Sequence, residues 1–196
     1  MKILSIDPSS NKQVTSTTGI VLLENTRLIS YWVVPYGVTN FLNWWRDTGC
    51  HLEFDIAIVE KFIVRHGDRG RDNTVVQTVE AIKSVLPDVV EQANMGYGTD
   101  VPDAVLKACG LWTFEKSHHQ DVRAAARLAL FYAMRNDVEE IVNEIGDRIY
   151  ASKEALIWVL LLVWVCLLEW RILRSIWDFD VVLNGDESRA SCGCYK

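Results

Sequence analysis

Two short apolar runs in this chain each stop on a carboxylate. Residues 2–6 (Lys-Ile-Leu-Ser-Ile) lead into Asp7-Pro8, and Asp55-Ile-Ala-Ile-Val leads into Glu60. Continuous apolar runs of this length suit buried central strands. Pro8 stops the first of them, which places Asp7 at a strand's C-terminal end. Ligands in open α/β sheets bind beyond such ends. A carboxylate carried there is costly unless its charge is compensated. A divalent cation does this well, because Mg²⁺ prefers carboxylate oxygens and water and keeps positions open for phosphate oxygens. Taken singly, each acid has a plainer reading. A strand-end carboxylate is more often a cap or half of an ion pair, and Glu60 has Lys61 and Arg65 within reach in sequence.

The rest of the chain supplies an α/β frame for the pair. A polar turn over 8–17 leads through Thr18-Gly19 into a second strand, Ile20 to Leu23, and residues 24–27 turn the chain into a third, Leu28 to Val34. Thr39 to Asp47 reads as a helix, with Thr39 as N-cap and Gly49 just past its end. After the Glu60 strand, helical spacing of Val75, Val79, Ile82 and Leu86 predicts a helix over 75–93, which Pro87 breaks or kinks. Residues 94–103 are turn-rich, and 104–114 follow neither period. An alanine-rich helix then opens at His118 and runs to Met134, and Asp137 to Tyr150 is acidic and helix-like. Three strands, a helix, a strand and further helices make an α/β layered architecture with a mixed sheet.

His118 and Asp121 stand three residues apart at the start of that helix, so they share a face and point at one place. Asp121 also suits the positive N-terminal end of the helix. Three carboxylates and an imidazole are enough to hold two metal ions about 3.5–4 Å apart, the arrangement that activates water and stabilises a leaving oxygen in phosphodiester displacement. Alternatively, His118 acts as general base or orients the water. His-x-x-Asp on its own is more often a helix cap.

In order and spacing these pieces resemble the RuvC-type Holliday junction resolvases of the ribonuclease H-like superfamily, especially their short phage versions. The matching pieces are Ile6-Asp7-Pro8-Ser9 with Thr18-Gly19, then Ile58-Val59-Glu60-Lys61-Phe62, then His118-x-x-Asp121 followed by Arg123-Ala124-Ala125. The resemblance covers roughly residues 1–135. It implies a mixed five-stranded sheet flanked by helices, and a catalytic Mg²⁺ or Mn²⁺ pair held by Asp7, Glu60, His118 and Asp121. It further implies a homodimer nicking a four-way or branched DNA junction at symmetric positions. His119 competes for the histidine role, with a spacing to Asp121 that fits less well. The chain departs from the pattern in lacking a strong strand before His118, and nothing after residue 150 matches.

The formal net charge of −6 argues against a surface that binds nucleic acid throughout, so any such contact must be local. The loop after Glu60 supplies Lys61, Arg65, Arg69 and Arg71 against Asp68, and Lys116 and Arg123 flank the His118 motif, with Lys107, Arg127 and Arg135 nearby. Phosphate contacts of this kind position a nucleic acid without reading bases; a solvated charged face is the plainer alternative. Tyr97 is the one aromatic residue placed to wedge into a junction. Five scattered cysteines form no paired framework, which leaves zinc and disulfide scaffolds unsupported. The N-terminus shows no signal peptide, and the expected location is the cytoplasm.

Residues 1–150 are thus expected to form the nuclease domain, and 151–196 an apolar helix followed by a polar tail. Ala155 to Leu168 is an unbroken apolar run. As a helix it reaches roughly 21 Å, short of the ~30 Å hydrocarbon core, so burial or a dimer contact is the better expectation than a membrane span. Two other functions stay open. An ATPase or kinase relative shares the strand-Asp and Thr-Gly turn, but requires a Gly-rich phosphate loop and a second lobe, neither of which is present. A non-catalytic DNA-binding or membrane-associated protein would rest on the basic loop and the apolar run.

Overall fold

The computed structural model describes residues 1–63, 72–115 and 119–157, with only the backbone given for His119. Contacts divide the chain into two compact units, Met1–Tyr150 and Ala151–Lys196. In the second unit, residues 151–157 are helical and exposed, and the rest of the apolar run lies outside the described residues. No helix among the described residues is long and apolar enough to cross a membrane.

The first unit is built on five strands: β1 (Lys2–Asp7), β2 (Thr17–Glu24), β3 (Arg27–Pro35), β4 (Ile56–Glu60) and β5 (Val90–Gln92). They lie in the order β3-β2-β1-β4-β5. The first three form an antiparallel meander, whereas β4 and β5 run parallel to β1. This is the mixed five-stranded sheet of the ribonuclease H-like fold. Among the described residues of this unit, helices accompany it: α1 (Val38–Asp47), α2 (Val75–Val85), α3 (Tyr97–Asp100), α4 (Asp103–Ala108), α5 (His119–Arg135) and α6 (residues 139–150).

Side chains alternate across a strand, and here the alternation makes two cores. Leu4, Ile6, Ile20, Leu22, Ala57 and Val59 pack with Phe41 of α1 and Val79 and Ile82 of α2. Ile3, Val21, Leu23 and Ile58 pack on the other face with Val122, Ala125, Ala126 and Ala129 of α5 and Ile141 and Ile145 of α6. The alanines let α5 lie close to the sheet. The same parity decides where the carboxylates go. Asp7 shares a face with Ile3, and Glu60 shares a face with Ile58, so both project towards α5.

Several elements differ from the sequence-based expectation. Helix α1 starts at Val38 with Gly37 as its cap, not at Thr39. Its first donors are satisfied from a distant loop: Gly37 N donates to Ser9 Oγ at 3.1 Å and Val38 N to Asn11 Oδ1 at 3.0 Å. Thr48 caps its end, and Gly49 opens a 3₁₀ turn, Gly49–His51. The helix expected over 75–93 ends at Val85, two residues before Pro87, and Val90–Gln92 forms the parallel edge strand β5. The turn-rich and ambiguous segments hold two short helices, α3 and α4. Strand β2 begins at Thr17 rather than Ile20.

Candidate active site

β1 and β4 are parallel neighbours with Ile6 opposite Val59, so the next residues, Asp7 and Glu60, end side by side. On the other flank Asp7 is opposite Gly19 of β2. A Cβ on Gly19 would stand 2.3 Å from the carbonyl carbon and oxygen of Asp121 and 2.7 Å from Val122 N. The bare backbone at 19 is therefore what admits the first turn of α5, and it brings Asp121 to the two strand-end acids.

Asp7 retains some exposed surface, yet protein closely surrounds its carboxyl. That burial holds the group well above the ordinary carboxylate range, and the charges of Glu60 and Asp121 push it further in the same direction. Burial also raises Glu60, opposed by hydrogen bonds from Asp7 and Asn94. Glu60 Oε1 accepts from Asn94 Nδ2, and Asp121 Oδ2 accepts from Thr17 Oγ1. No cationic side chain is bonded to any of these three carboxylates among the described residues.

By residue type the donor set suits a hard divalent cation: three oxygen-bearing acids, two of them raised by burial, with no cationic side chain bonded to them among the described residues. The side chains stand farther apart than in a closed ligand cluster, since no group of three ligating residues among those described is arranged to hold an ion. Of the expected ligands, Asp7, Glu60 and Asp121 converge; His118 lies outside the described residues, and for His119 only the backbone, at the start of α5, is given.

The loop after β1 is fastened at several points. Ser9 Oγ accepts from Thr18 Oγ1 at 2.9 Å. Ser10 Oγ donates to Asp72 Oδ2 and accepts from the backbone of Lys12 and Gln13, both at 2.9 Å. Asn11 N donates to Thr74 Oγ1 at 3.0 Å. These bonds fix the backbone just beyond Asp7. Two of them, Ser10–Asp72 and Asn11–Thr74, join residues more than sixty apart in sequence, which explains why the segment reads from sequence only as a polar turn.

Tyr97, considered as a junction wedge, is half-buried and packs into the core on the α5 side. The Arg127 guanidinium lies 5.5 Å from its ring centroid. Burial, followed by the charges of Glu60 and Asp7, raises its phenol above the ordinary range. Its aromatic face is thus engaged within the protein. Among the cations, Lys61 is exposed and Arg123 lies 4.5 Å over the Trp112 ring, with Lys107 4.8 Å from the same ring. Arg127 is paired with Asp103, and Arg135 with Asp100 at 2.7 Å, which reduces their charge as seen from outside. Arg65, Arg69, Arg71 and Lys116 lie outside the described residues.

No protein-family model matches this chain, and no curated protein matches it. Solved structures do. Thermus thermophilus RuvC in complex with a Holliday junction substrate superposes with a TM-score of 0.53 at 14% identity, over 69% of this chain and 95% of RuvC. A second Thermus thermophilus RuvC structure gives 0.50 at 18% identity, over 71% and 98%. The chain has the fold of RuvC, a five-stranded mixed sheet with flanking helices.

Proposed function

We propose that this chain is a divalent-cation-dependent endonuclease that nicks branched DNA, four-way junctions foremost. The reading is carried by one observation: Asp7, Glu60 and Asp121, from three separate elements, lie together on the α5 face, with no cationic side chain bonded to them among the described residues. Desolvation acts against that arrangement, and stability alone does not explain it. The likeness to a RuvC bound to a Holliday junction supports the substrate class.

Asp7, Glu60 and Asp121 would hold the ions, with His118 as the fourth ligand. Bound there, Mg²⁺ or Mn²⁺ activates water and stabilises the leaving oxygen of an in-line displacement, most effectively as a pair. The chain's own contribution is placement. The parallel pairing of β1 and β4 fixes two acids, and Gly19 admits the third. Lys61, Arg65, Arg69, Arg71, Lys116 and Arg123 would contact phosphates and orient the branch, in keeping with contacts that position rather than specify. A homodimer would present two such sites to a two-fold junction. In this reading 1–150 is the nuclease domain, working in the cytoplasm, and 151–196 an appended segment.

The test is cleavage of a synthetic four-way junction in Mg²⁺ or Mn²⁺, with linear duplex as control. Symmetric nicks are expected, and Asp7→Asn or Glu60→Gln should abolish them while junction binding survives. Full activity in EDTA would refute the reading.

A further inference from the structure

Thr17 and Asn94 belong to none of the pieces on which the functional reading rests, yet they make the outer contacts of its carboxylates. Thr17 lies on β2 two residues before Gly19, on the same face by strand alternation. Its hydroxyl donates to Asp121 Oδ2. Asn94 lies two residues beyond Gln92, the partner of Glu60 in the β4–β5 ladder. Its amide donates to Glu60 Oε1, while its carbonyl accepts from Tyr97 N at 3.1 Å and fixes the turn into α3. Each donor engages a single carboxylate oxygen.

The chemistry of these donors matters as much as their place. Lys or Arg at either position would orient the carboxylate but also cancel its charge, lowering the attraction for a divalent cation. A hydroxyl and an amide orient it and leave the charge in place. We propose, resting on the functional reading above, that Thr17 and Asn94 are positioning residues of the metal centre, which hold Asp121 and Glu60 by one oxygen each and present the other to the cation. Loss of such outer hydrogen bonds typically lowers metal affinity or activity by about 10–100-fold.

The experiment is Mn²⁺ titration of the full chain, read by the electron paramagnetic resonance of free Mn²⁺, beside junction cleavage over a Mn²⁺ series. Asn94→Ala and Thr17→Val are expected to weaken Mn²⁺ binding by about 10–100-fold. Cleavage should fall at limiting Mn²⁺ and recover at saturation. Thr17→Ser, which restores the hydroxyl, should bind as the parent does. Thermal melting identifies a variant that fails to fold, in which case the other position decides the question. If Asn94→Ala and Thr17→Val bind Mn²⁺ as the parent does, the proposal is overturned while the nuclease reading stands. If the parent chain binds no Mn²⁺, or binds it unchanged after Asp7→Asn, both fall together.

Discussion

Gly19 and Asp121 touch backbone to backbone: a Cβ at position 19 would lie 2.3 Å from the Asp121 carbonyl. Neither the carbonyl of a helix's first turn nor a central strand can yield as a flexible side chain would. Gly19→Ala should therefore push the start of α5 off the sheet. The expected cost is about 1–3 kcal/mol of unfolding free energy, the usual range for overpacking. Cleavage should fall more steeply than stability, since Asp121 moves with the helix. Urea unfolding and junction cleavage on the same preparation would measure both, and a variant with parental stability and rate would show that the contact is relaxed in solution.

Asp7 is the acid most opposed by its surroundings, through burial and the charges of Glu60 and Asp121. Asp7→Asn keeps the shape and removes the charge. Without divalent cation, the variant is expected to be more stable than the parent at neutral pH, by about 0.5–2 kcal/mol, the range common for a single stabilising substitution. Its nuclease activity should be lost. Melting in EDTA gives the first quantity and a junction assay the second. Equal or lower stability for the variant would mean that the carboxylate is already compensated.

The same electrostatics fixes a pH dependence. Asp7 and Glu60 have folded-state pKa values above their unfolded ones. The folded state therefore binds more protons than the unfolded state, and stability falls as pH rises. The loss begins near the unfolded carboxylate range, at about pH 4, and is complete once pH passes the raised folded values. Asp72 and Glu144, held low by hydrogen bonds, contribute with the opposite sign, so the comparison must be made against Asp7→Asn. Mn²⁺ should raise the melting temperature of the parent at pH 8, and much less at pH 4–5, where protons compete for the same oxygens. A Mn²⁺ effect that is the same at both pH values, or that persists in Asp7→Asn, would separate ion binding from this site.

The two strand-end acids were legible because the signal is local: an apolar run that ends on a carboxylate, stopped in the first case by Pro8. The approach of Asp121 was legible as a helix start, although the reason Thr18-Gly19 matters became clear only when Gly19 met α5. What stayed hidden was non-local. Strand β5 is three residues long and follows a helical period broken at Pro87, so propensity had nothing to read. The backbone donors at the start of α1 are met by Ser9 and Asn11, more than twenty residues upstream, whereas local capping rules favoured Thr39. Thr17 and Asn94 lie 104 and 34 residues from the acids they hold. Isolated Thr and Asn residues carry no pattern from which such pairings follow.

Arg123 separates a phosphate contact from a structural one. It sits on α5 two residues after Asp121, half-exposed, with its guanidinium over the Trp112 ring at 4.5 Å. Unlike Arg127 and Arg135, it has no carboxylate partner within ion-pair distance among the described residues. Stacking leaves its charge intact, and although Nη1 turns to the Trp112 carbonyl at 3.5 Å, the other guanidinium donors remain for a phosphate. Arg123→Gln is expected to weaken junction binding without base or sequence preference, and to reduce the slope of log K against log salt by about one. Arg127→Gln, whose charge is already matched by Asp103, should leave that slope nearly unchanged while costing stability through the lost pair. Binding isotherms at three or more salt concentrations distinguish the two. Parallel salt slopes for the parent and Arg123→Gln would place the DNA path elsewhere on the molecule and leave Arg123 as a brace for Trp112.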